Sequence, residues 1–192
     1  FLRPLGLRLD GQSEISAVSG SRLYFLTGLE EAMGENVTSE EEFRNMVIGE
    51  GLHDNSAPSF MAAVVELESG VVTRGGTEIN VAMKRGVARI DLNTTADSKT
   101  KIKEIIVEDA PAETFPFIEN KQASDKTVNY RKEFGSDFNG EQKEVFRIFE
   151  SMRPVHIVLR GTYGEVPIRL KVELPVVERN KVYELTVLNV GT

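Results

Sequence analysis

Cysteine and tryptophan are both absent from the 192 residues, and histidine occurs only twice. Without cysteine there is no disulfide, no thiolate metal ligand and no cysteine nucleophile, although the compartment stays open because many exported proteins also lack it. Without tryptophan, a carbohydrate site would have to rely on Tyr24, Tyr130, Tyr163, Tyr183 or exposed phenylalanine. Basic residues are in the minority: 23 Lys and Arg face 30 Asp and Glu, for a formal charge of −7. That balance opposes affinity for a polyphosphate, so nucleic acid is not an expected partner. Apolar residues make up 40% of the chain but fall in short runs, none near the ~20 residues that a membrane-spanning helix requires.

What is present is a two-residue period. Val166, Ile168, Leu170, Val172 and Leu174 alternate with Pro167, Arg169, Lys171 and Glu173, which predicts a strand with one apolar face and one wet face. The same period appears in Leu5-Leu7-Leu9, Ile79-Val81-Met83, Ala88-Ile90-Leu92, Val155-Ile157-Leu159 and Tyr183-Leu185-Val187. Further strands are expected at Arg22 to Thr27, Phe60 to Leu67, Ile102 to Val107 and Glu144 to Phe149, about ten in all. Short antiparallel strands with one polar face imply an all-β protein built as a sandwich. One helix interrupts them. Ser39 and Glu42 have the capping-box spacing, Glu40, Glu41 and Glu42 suit the helix dipole, and Phe43, Met46, Val47 and Ile48 carry the pattern to Gly49. This glutamate run reads as a solvated helix start rather than a cation site.

Turn formers gather at Gly49 to Ser59, Ser69 to Thr77, Asn93 to Lys99, Glu119 to Thr127 and Gly135 to Glu141. The fourth of these loops suggests a division into two units, residues 1–120 and 121–192. Phe115, Phe117, Phe134, Phe138, Phe146 and Phe149 are expected to fill the core.

Few residues fall in patterns that carry chemistry. His53 sits in a polar stretch, and His156 alternates away from an apolar face; neither belongs to an HExxH or paired-histidine pattern. There is no GxSxG elbow. Asp91, Asn93, Thr95 and Asp97 resemble the opening of a calcium loop, but no glycine stands sixth and Ile102 occupies the closing position. Asp137, Asn139 and Glu141 read as a polar turn. The Gly75-Gly76 pair and the Gly161 to Gly164 segment lack the phosphate-loop patterns. Arg74 lies in a stretch that an arginine-directed protease could enter if exposed. No catalytic, cofactor-binding or metal-ligating residue is therefore assigned, no cofactor is expected, and the chain is read as a non-enzyme.

Several segments stand in a distinctive order. In the first half these are Leu23-Tyr24-Phe25-Leu26, then Thr38-Ser39-Glu40-Glu41-Glu42-Phe43, then Val81 to Asp91 with its Lys84-Arg85-Gly86-Val87-Ala88-Arg89-Ile90 core. In the second half they are Phe149-Glu150-Ser151, Gly161-Thr162-Tyr163 and Arg179-Asn180-Lys181-Val182-Tyr183. In this order they resemble the fimbrillins, the pilus subunits of Bacteroidales. The resemblance implies transthyretin-like β-sandwich domains, export as a lipoprotein precursor, an outer-membrane attachment through a lipid anchor outside this chain, and a place in a cell-surface fimbrium. It also implies proteolytic removal of an amino-terminal strand, with Arg3, Arg8 or Arg74 as candidate cleavage points, and assembly with other fimbrial subunits by donor-strand exchange. The expected function is then a structural or adhesive pilus subunit with possible host-protein or glycan ligands. The alternative is a non-polymerising tip adhesin or a surface glycan- or protein-binding module. Because the chain opens on Phe1, it is read as trimmed; its second unit is read as either complete or the start of something longer.

Overall fold

The computed structural model describes residues 20–29, 39–49, 56–67, 80–95 and 99–188. These form β1 (Arg22–Thr27), α1 (Glu40–Arg44), β2 (Ile48–Gly49), β3 (Met61–Glu66), β4 (Lys84–Arg85), β5 (Val87–Asn93), β6 (Thr100–Pro111), β7 (Glu113–Thr114), β8 (Thr127–Phe138), β9 (Glu141–Phe149), β10 (Val155–Tyr163), β11 (Val166–Leu174) and β12 (Val182–Thr186). The chain is an all-β sandwich with one short helix. A four-stranded sheet of order β11-β10-β6-β8 faces a three-stranded sheet of order β12-β5-β9.

Alternation explains the main core. Ile102, Ile105 and Val107 of β6 and Val155, Ile157 and Leu159 of β10 point inward and meet Ala88, Ile90 and Leu92 of β5 and Val145, Phe146 and Ile148 of β9. Register shifts after Ile102 and at residues 143–145 reset the alternation, so that Ile102 and Ile105, and Val145 and Phe146, all reach the core. At a pleated pair, successive residues face opposite sides of the sheet. So the pair Ala88 and Ile148 serves this core, while the neighbouring pair Val87 and Phe149 turns its side chains to a second one. That second core also holds Leu29, Ile48, Ala57, Phe60 and Ala62. Around it lie a sheet of order β1-β3-β4 and the short β2-β7 pair.

Strands from both sides of position 120 share both main sheets: β6 pairs with β8 and β10, and β5 pairs with β9 and β12. Most connections are antiparallel, but β12 runs parallel to β5. Three expectations change in extent. The strands β6 and β9 run longer than their apolar patterns, β8 covers Gly135 to Phe138 where a turn is expected, and β4 occupies only Lys84 and Arg85 beyond Val81 and Met83. In β8 the pattern is diluted because an edge strand needs apolar residues on one side only, and Arg131, Lys132 and Glu133 mask it. The first expected strand, Leu5 to Leu9, lies outside the described residues, as do Arg74 and the Ser69 to Thr77 turn.

The helix starts as the sequence indicates, with the Ser39 hydroxyl oxygen accepting from the Glu42 amide at 3.1 Å. It ends at Arg44, earlier than the apolar spacing suggests, because Ile48 and Gly49 are drawn into pairing with Thr114 and Glu113. Phe43 packs with Tyr24 and Phe117, ring centroids 5.0 to 5.8 Å apart. The Tyr24 hydroxyl donates to Glu40 at 2.8 Å. That bond, with Arg22 and Arg44 nearby, holds the Glu40 carboxyl below its ordinary range. A carboxylate whose folded value is depressed favours the fold above its unfolded value, and that contribution disappears as pH falls through the folded one. Tyr24→Phe is therefore expected to move the Glu40 titration midpoint upward, read by carboxyl-carbon NMR; an unmoved midpoint would refute the role of the hydroxyl.

Candidate strand-accepting edge

The two sheets of the main sandwich are unequal, and the mismatch falls at β11. Inward-facing residues of its neighbour β10 are fully covered: Val155 and Ile157 are 0% exposed and Leu159 3%. On β11 the same inward row is left open, with Val166 64% and Val172 40% exposed and Ile168, Leu170 and Leu174 half-buried. A two-residue turn carries the chain from β8 in one sheet to β9 in the other, and Tyr130 of β8 lies 6.2 Å from Phe146 of β9, so the sheets start together at that flank. Counting from there, the three-stranded sheet ends at β12 while the other has one strand more.

Backbone geometry fixes which edge is available. The tight connection at Gly164 and Glu165 makes Tyr163 and Val166 a hydrogen-bonded pair, so residues 167, 169, 171 and 173 turn their backbone groups to the free side of β11. Pro167 has no N–H to offer there, and a proline at an open edge blocks strand addition. On β12, Lys181 accepts from the Arg89 amide and the Val187 amide donates to Asn93, both at 2.9 Å. The alternation between those points sends the backbone groups of Val182, Glu184 and Thr186 outward. No strand pairs with that side of β12 among the described residues. Pro167→Thr is expected to let β11 self-pair, raising the sedimentation mass with concentration; a monomeric variant at every concentration would contradict the blocking role.

The Arg179-Asn180-Lys181-Val182-Tyr183 segment anchors β12. Arg179 is buried; its Nε donates to Glu150 Oε2 at 2.9 Å, Nη2 contacts Glu150 Oε1, Nη1 donates to Pro116 O at 3.0 Å, and Nη2 donates to Phe115 O and Ile118 O at 3.0 and 3.1 Å. Asn180, in the left-handed region at φ 59°, turns the chain so that its amide reaches Val87 O at 2.9 Å. Asparagine tolerates that conformation better than most residues. The Tyr183 hydroxyl accepts from the Glu178 amide at 2.9 Å, closing the turn into the strand. A buried ion pair, a left-handed asparagine and a tyrosine latch thus give each distinctive residue of the segment a mechanical role.

Other candidates from the sequence settle into the scaffold. His156 stands on the outer face between Asp109 Oδ2, 3.1 Å from Nδ1, and Glu173 Oε2, 3.4 Å from Nε2. His53 lies outside the described residues. Asp91 accepts from Arg89 Nη2 and from the Glu144 amide, which fixes the bulge where β9 carries extra residues opposite β5. Asn93 caps Thr95, and Asp97 lies outside the described residues. The Asn139 segment is brought against Thr94 rather than against Asp91. No group of three or more metal-ligating side chains occurs among the described residues. Phe115, Phe146 and Phe149 are buried, while Phe134 and Phe138 stack at 4.6 Å on the flank of β8. The open flank at β11 and β12 is the feature that sequence reasoning missed: the alternation identifies β11, but not that its apolar row has no facing strand among the described residues.

No protein-family model matches the chain, and no curated protein matches it.

Proposed function

We infer that the protein is a structural or adhesive subunit of a cell-surface fimbria, which takes a strand from a neighbouring subunit along the open side of β12. One observation carries this reading: an apolar row on β11, exposed or half-buried, lies beside an edge of the opposite sheet with which no strand pairs among the described residues. A strand added to β12 would satisfy its outward backbone groups and lay alternate apolar side chains on Ile168, Leu170 and Val172. Register would be fixed by the period of two, because a slip of one residue turns every apolar side chain to water. The resemblance of Arg22 to Leu92 and of the Arg179 to Tyr183 segment to fimbrillins supports the same assembly, with Leu5-Leu7-Leu9 as the kind of alternating sequence such an edge accepts. Export, a lipid anchor and an outer-membrane address belong to this reading.

The test is native mass spectrometry and electron microscopy of the chain before and after limited digestion at arginine. Filaments or a ladder of oligomers that appear after cleavage are the expected result. Monomers that persist at high concentration would overturn it in favour of a non-polymerising binding module.

A further inference from the structure

The chain contains a single Asn-Gly dipeptide, Asn139-Gly140, and it forms the turn that joins β8 of one sheet to β9 of the other. Thr94, fully buried at the end of β5, is tied to this turn from every side. Its amide and hydroxyl both donate to Gly140 O, at 2.9 and 3.1 Å, and its hydroxyl oxygen accepts from the Gly140 amide at 2.8 Å. Asn139 Nδ2 donates to Thr94 O at 3.1 Å and to Thr100 O at 2.7 Å.

These bonds engage the two groups through which an Asn-Gly sequence damages itself. In that reaction the Gly140 nitrogen, after giving its proton to solvent base, attacks Cγ of Asn139. A new C–N bond closes a succinimide ring, and Nδ2 leaves as ammonia. Water then opens the ring to aspartate or isoaspartate, so the net change is one water gained and one ammonia lost. Here the nucleophile's N–H is held by Thr94 Oγ1, and the leaving amide is held by two carbonyls. We propose that Asn139 is a latent deamidation site which the Thr94 knot keeps intact while the turn is closed. Once the turn opens and the reaction occurs, the product carboxylate faces the carbonyl oxygens of Thr94 and Thr100, and isoaspartate adds a carbon to the main chain of the turn. Closure is then opposed, and the connection between the sheets is weakened irreversibly.

The experiment follows conversion at residue 139 by peptide mapping of the full chain, incubated folded or in urea in a mildly alkaline buffer. The folded protein is expected to convert at least roughly tenfold more slowly than the denatured chain, in proportion to the equilibrium population of the locally opened turn. Thr94→Val, confirmed folded by circular dichroism, is expected to convert faster than the folded wild type. Gly140→Ala is expected to slow the reaction in the denatured chain; a Cβ there meets only the Phe138 ring at 3.6 Å, an ordinary contact, so the fold tolerates it. Equal rates in folded and denatured wild type would overturn the proposal, as would an Asn139 that survives in urea. Should Thr94→Val fail to fold, the wild-type pair of rates decides alone.

Discussion

Arg179→Ala is expected to cost about 3–5 kcal/mol of unfolding free energy, the range for removing one partner of a buried ion pair. The loss has two sources. Glu150, 6% exposed, would keep a charge without its counter-ion, and the carbonyls of Phe115, Pro116 and Ile118 would lose the donors that now satisfy them. Lysine cannot repair the site, because a point charge does not reproduce a planar fork that serves a carboxylate and several carbonyls together. Arg179→Lys is therefore expected to recover only part of the stability. The effect should reach the edge strand as well, since Arg179 precedes the turn into β12. Urea denaturation of the two variants measures the first claim, and amide exchange at Leu185 and Val187 the second. A loss below about 1 kcal/mol for the alanine variant would place the pair among weak ion pairs and refute the clamp.

Phe60→Ala should destabilise the second core by a similar amount, about 3–5 kcal/mol, as for other buried phenylalanines. Phe60 is 1% exposed, and Gly86 lies directly against its ring while donating its amide to Phe60 O at 2.9 Å. A Cβ at residue 86 would sit 1.8 Å from the ring carbon Cζ, so Gly86→Ala forces the ring to move. The two substitutions are expected to be strongly non-additive. Once the ring is gone, the methyl group has room, and Gly86→Ala should cost little in the Phe60→Ala background. Additive losses in a double-mutant cycle would show that Gly86 is constrained by something other than the ring.

How far the sequence discloses this arrangement depends on what each element rests upon. β1 and β11 are legible to the residue, because Arg22 to Thr27 is bounded by turn formers and Val166 to Leu174 alternates without a break. The start of α1 is legible through Ser39 and its acidic first turn, since a cap is a local hydrogen bond. Its end is not. Met46, Val47 and Ile48 continue a helical spacing, yet Ile48 is taken by pairing with Thr114, 66 positions away in the chain. The parallel partner of β5 is equally hidden: nothing in Val182 to Thr186 states which strand it joins, and the choice is made at Asn180 and Arg179 by contacts with Val87, Glu150 and the 115–118 carbonyls. The candidate edge follows the same logic. Alternation tells that Ile168, Leu170 and Val172 share a face, whereas their partial exposure is a property of the opposite sheet having one strand fewer among the described residues.

The most direct measurement on the central claim is hydrogen exchange of the backbone amides in assembled protein against monomer. If a strand is accepted along β12, the outward amides of Val182, Glu184 and Thr186 become strongly protected on assembly, while those of Arg169, Lys171 and Glu173 on the Pro167-blocked edge of β11 change much less. Oligomers in which the three β12 amides exchange as fast as in the monomer would contradict the account.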